Sequence, residues 1–119
     1  MKAVVKQLIG TLKQSIEFVE LRTTHESECY FEAVLLRPHL SGCCDRLQQA
    51  LGQPLKNFNQ SVKFEPAIQR AVVLLGGVRI DQCLFFARGE GRQVAYAALW
   101  PWTSDATRIT LKVGLLELK

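Results

Sequence analysis

The residues with the most distinctive chemistry lie in YAALWPWTSD, Tyr96–Asp105, where two tryptophans flank a proline. The chain has no other tryptophan. In an extended segment Tyr96, Ala98 and Trp100 share one face by the two-residue period, and the small Ala98 leaves a gap between two rings. Pro101 cannot donate to a strand ladder, so the strand ends or meets an edge there, with Trp102 at the rim. Such a cluster has three uses. Large aromatics fill cores, they anchor contacts between protomers, and they wall ligand pockets. Upstream, Arg79 and Asp81 share a face with Cys83 and Phe85. They read either as a local charge pair or as polar anchors at a pocket mouth near the tryptophans.

The cysteines and histidines offer less. His39 and Cys43 are four residues apart, with Cys44 and Asp45 beside them. That spacing puts two ligands on one helical face, but zinc needs three or four and no CxxC occurs, so no metal is expected. Cys43 or Cys44 with His25 or His39 would make a thiolate pair, yet nothing local adds to it. Cys44 falls on the apolar stripe of its helix, which predicts burial and leaves Cys43 as the exposed, more reactive thiol. The GEG at Gly89–Gly91 joins strand to strand and lacks a third glycine, so it reads as a hairpin turn and not a nucleotide loop. No cofactor is implied, and none of these patterns specifies a reaction.

The elements that must position these residues fit one domain spanning 1–119. Apolar residues make up 48% and charged residues 22%, which suits a chain that builds a core and argues against disorder. The net charge is +4. Residues 1–32 carry four basic and five acidic side chains, and residues 33–119 carry eleven and six. The later basic residues come singly and never in a run, unlike the clustered footprint of a nucleic-acid binder. The longest apolar run, Ala71–Val78, falls far short of the ~20 residues of a membrane span. Lys6 and Lys13 break the N-terminal apolar pattern, so no signal peptide is read and a cytoplasmic location with free thiols is expected.

Val5, Leu8, Ile9 and Leu12 recur at helical steps. Phe18 and Leu21 leave that stripe, so the helix is expected to end near Ser15 and Ile16–Arg22 to begin a strand. TTHES, Thr23–Ser27, reads as a polar turn into a second strand, Cys29–Arg37, stopped by Pro38. Ser41 is a good N-cap for a helix carrying Leu40, Cys44, Leu47 and Leu51, closed by Gly52 and Pro54. Residues 53–64 look like loop. Pro66 suits the first position of a third helix ending at Gly76-Gly77. A hairpin turning on the two glycines competes for the same residues, and the helix is the reading adopted here. Val78–Ala87, Gln93–Trp100 and Arg108–Leu118 read as an antiparallel three-strand meander.

The chain is therefore expected to be α+β, with an antiparallel sheet of four to five strands and two or three helices packed on one face. Gln93–Trp100 is apolar on both faces, so a further body must cover it. That motivates the leading expectation, a non-enzymatic module that self-associates as a homodimer. The alternative is a small-molecule binder or small enzyme with a pocket at Tyr96, Trp100 and Trp102 anchored by Arg79 and Asp81. A weaker alternative is nucleic-acid binding through the dispersed basic surface.

Overall fold

A computed structural model describes residues 1–22 and 29–118. The proposed turn at Thr23–Ser27, and His25 with it, lie outside the described residues. The architecture is α+β: five antiparallel strands in one sheet, with three helices.

Helix α1, Lys2–Ser15, buries Val5, Leu8, Ile9 and Leu12. Its C-cap, Ile16, is already extended at φ −116. The switch from helical to strand period is therefore abrupt, and strand β1, Phe18–Leu21, follows. It pairs antiparallel with β2, Phe31–Leu36, through a register shift between Phe18 and Glu20.

Pro38 ends β2, as its missing N–H requires. It also opens a 3-10 turn, Arg37–His39, that runs directly into helix α2, Leu40–Leu51. The expected Ser41 cap is thus corrected. His39 holds the N-cap position with no side-chain cap bond, because the 3-10 turn that begins two residues earlier, at Arg37, runs straight into the helix. The two thiols are also exchanged relative to expectation. Cys43 is fully buried and Cys44 only partly so. Cys43 stands one helical step of four before the buried Leu47, which stands four before Leu51, so the buried face is centred on the 43–47–51 row.

Helix α3, Pro66–Leu74, starts with proline at its first turn. It ends in a Schellman motif. Gly76 N–H donates to Val73 O and Gly77 N–H to Val72 O, both at 3.0 Å, with the two glycines at φ +96 and +83. The helix is formed and the competing hairpin is not.

Strands β3, Cys83–Arg88, β4, Gln93–Pro101, and β5, Arg108–Glu117, form the expected meander. The first begins five residues later than expected. Residues 78–82 instead form a turn closed by Gln82, whose N–H donates to Arg79 O at 3.1 Å and whose Oε1 accepts from Arg79 N–H at 2.7 Å. The sheet order is β1-β2-β5-β4-β3, so the last strand lies between the N-terminal hairpin and the rest of the meander.

The sheet has two covered regions. Phe31, Leu35, Phe85, Ala97, Leu99, Ile109 and Leu111 face α1 and α2 in the main core. On the opposite face Ile68 and Val72 of α3 pack on Leu84 and Ala98, and Ala71 on Val94. Two helices thus share one face, and the third covers the other side of β4. The doubly apolar strand finds its second shelter within the chain, so its composition places no demand on a second protomer. Among the described residues no helix is long and apolar enough to cross a membrane.

Candidate functional site

Helix α3 shelters β4 as far as Trp100, which packs against the cluster of Ile68, Val72, Leu84 and Ala98. The strand runs on to Pro101, beyond that cluster. Trp102 N–H donates to Arg108 O at 3.0 Å. Neighbouring residues of a strand point their N–H groups to opposite sides. At Pro101 the missing donor therefore faces away from β5, towards β3, which starts only at Cys83 opposite Leu99. The proline sits where no ladder bond is lost, and the Trp100–Pro101 bond is trans.

A pocket of about 560 Å³ opens here. One wall is Trp100, Pro101 and Trp102. The other is the chain leaving α3, from Gly76 to Arg79, with Gln82 behind it. Thr103, Ser104 and Thr110 complete the lining. The Thr103–Thr107 turn is held by Asp105, whose Oδ1 accepts from Thr107 N–H at 2.9 Å and Thr107 Oγ1 at 2.6 Å. Those bonds hold the Asp105 carboxyl below its ordinary range.

The tryptophans are fixed by different contacts. Trp102 Nε1 donates to Thr110 Oγ1 at 2.8 Å, and the guanidiniums of Arg22 and Arg108 lie 5.1 and 5.8 Å from its ring centroid. Thr110 is buried beneath it. Trp100 packs its ring with the α3 cluster and takes Lys112 Nζ over it at 4.1 Å. Cation–π contacts of this kind contribute about 0.5–1 kcal/mol where exposed and more where desolvated. The buried Trp100 Nε1–H has no hydrogen-bond partner.

Of the residues singled out in the sequence, Trp100, Trp102 and Arg79 meet at the pocket. Tyr96 and Asp81 are not among its lining residues. Tyr96 is buried and lies across Gly114 on β5, with its hydroxyl 2.8 Å from where a Cβ would stand, which is why that position has no side chain. Asp81 pairs with Arg79 Nε at 3.4 Å with both side chains exposed, so the local charge pair is formed. An exposed pair contributes little, about 0–1 kcal/mol.

Lys56 is a residue that sequence reasoning missed. It is only 4% exposed, and its ammonium donates to three carbonyl oxygens: Gln82 at 2.6 Å, Ile80 at 2.9 Å and Asn57 at 3.0 Å. Its backbone pairs with Leu84 in both directions, capping the β3 edge. Burial lowers its pKa. Lys56 fixes the 79–82 turn, and with it the wall that carries Arg79. A lone lysine between Leu55 and Asn57, in a loop, carries no periodic signal by which sequence could have found it.

The thiols do not form a site. Burial pushes Cys43 and Cys83 up to about 12 and raises Cys44 as well. Thiolate chemistry needs the opposite shift. Among the described residues no group of three or more His, Cys, Asp or Glu is placed to hold a metal ion. The basic residues around the site carry acidic partners: Arg22 with Glu20, Arg108 with Asp105, and Lys112 with Glu32. No family model matches the chain, and neither a curated protein nor a solved structure matches it.

Proposed function

We propose that this chain is a non-enzymatic binding module that takes a small molecule in the pocket between the Trp100–Trp102 rim and the Gly76–Arg79 exit of α3. One observation carries the reading. Both tryptophans of the chain and one exposed guanidinium converge on a cavity of about 560 Å³, within the range of small-molecule sites. Binding is favoured over catalysis by the chemistry of the walls. Among the described residues the lining has hydroxyls but no carboxylate, imidazole or thiol to activate them.

The test is intrinsic fluorescence, since the only emitting indoles are at the pocket. A metabolite library titrated against the protein is expected to contain compounds that shift the emission saturably, and Trp102→Ala is expected to weaken them. An unshifted spectrum across neutral, cationic and anionic members removes the proposal.

Self-association stands as a second reading because Val73, Leu74 and Ile80, which flank the Gly76–Arg79 wall in sequence, are large, apolar and exposed. A homodimer through this patch predicts a dimer mass by light scattering at micromolar concentration, and Leu74→Glu restoring a monomer. A monomer mass for the unmodified protein ends it.

A further inference from the structure

We infer that the ligand of this pocket is a small organic anion with a flat apolar body: the one charged side chain among the described lining residues is a guanidinium, set in the wall that faces the two tryptophans. The inference rests on the binding reading above and goes further by naming the ligand's chemistry.

Arg79 is the one charged side chain among the described lining residues, and the lining holds no carboxylate. Its guanidinium pairs with Asp81, which is solvent-exposed and therefore cheaply displaced by the carboxylate or phosphate of a ligand. Gln82 Oε1 already accepts from Arg79 N–H at 2.7 Å, which leaves the Gln82 amide NH2 to donate. The Thr103 and Ser104 hydroxyls can donate or accept. The Trp100-Pro101-Trp102 wall supplies the apolar counterpart for a flat body.

The probes are 1-naphthoate, its neutral isostere 1-naphthamide, and butyrate, which keeps the charge and drops the ring. Binding is followed by calorimetry and by the two indole N–H resonances, assigned with Trp102→Phe. Naphthoate is expected to bind about tenfold or more tighter than naphthamide, the discrimination of one charge-assisted hydrogen bond. It is expected to shift the indole N–H resonances saturably, through an aromatic ring seated against Trp100 and Trp102. Butyrate is expected to bind more weakly than naphthoate. Arg79→Gln, an exposed position, is expected to bring naphthoate and naphthamide to within about threefold of each other. Equal binding of naphthoate and naphthamide, with both moving the indole resonances, overturns the anion inference and leaves the pocket intact. No binding of any probe and no resonance moved at millimolar concentration overturns both.

Discussion

The ammonium of Lys56 lies 2.6 Å from the carbonyl oxygen of Gln82, inside the fold, and that one contact ties a 53–64 loop residue to the wall of the pocket. The neighbouring bonds to Ile80 and Asn57 use the remaining protons. Ile80 O also accepts from Asn59 N–H at 2.7 Å and Asn57 O from Gln60 N–H at 3.3 Å, so the ammonium matters most to the buried Gln82 carbonyl.

Lys56→Met keeps the aliphatic stem and deletes all three bonds. It is expected to destabilise the fold by about 1–3 kcal/mol, chiefly from the Gln82 carbonyl left without its donor rather than from lost packing. Urea denaturation read by circular dichroism checks this. A midpoint within error of the unmodified protein would mean the carbonyls find water instead.

Alkaline pH is expected to weaken the fold. Cys43 and Cys83 sit at about 12 when folded and near 9 when unfolded. The folded state therefore holds protons that the unfolded state releases, and the stabilisation present below pH 9 is lost as pH rises towards 12. Lys56, lowered on folding, acts the other way as pH approaches 10.5, but it is one group against three thiols, Cys44 being raised as well. The expected loss is on the order of a few kcal/mol by pH 10.5. Urea midpoints at pH 7, 9 and 10.5 measure it, and Cys43→Ala should flatten the slope. A thiol-specific reagent at pH 8 should label at most two of the four cysteines before unfolding, Cys43 and Cys83 being sealed.

Gly114→Ala is expected to cost about 1–3 kcal/mol, because its new methyl meets the Tyr96 ring and hydroxyl at 2.8–3.0 Å. The double variant with Tyr96→Leu should recover part of that loss, which melting temperatures of the four proteins in the cycle would show. Additive effects would remove the steric explanation.

Local order was legible wherever one short-range rule dominated. Ile16 ends one period and starts another, so α1 and β1 could be told apart. Pro66 and the Gly76-Gly77 pair bracket α3 because proline suits a first turn and glycine the positive φ after a last one. The alternation Ile109, Leu111, Val113 set the inner face of β5. The Val78–Ala87 strand was overextended because a turn held by Gln82 and Lys56 is made by partners distant in sequence. Of the pocket, Trp100, Trp102 and Arg79 were visible as types. Tyr96 was misplaced because period two gives a face and says nothing of how far along that face a helix extends.

From the amino acids alone followed the α+β class, the three helices, the meander and the two-sided burial of Gln93–Trp100. All of these rest on contacts between near neighbours in the chain. Tertiary structure alone decided that α3 lies on the opposite face from α1 and α2, that β5 slots between β2 and β4, that Cys43 is sealed in place of Cys44, and that Lys56 is inside. Hydrophobic periodicity states that a face must be covered and is silent about what covers it. That choice is made by the joint packing of segments far apart in the chain, which no local window contains.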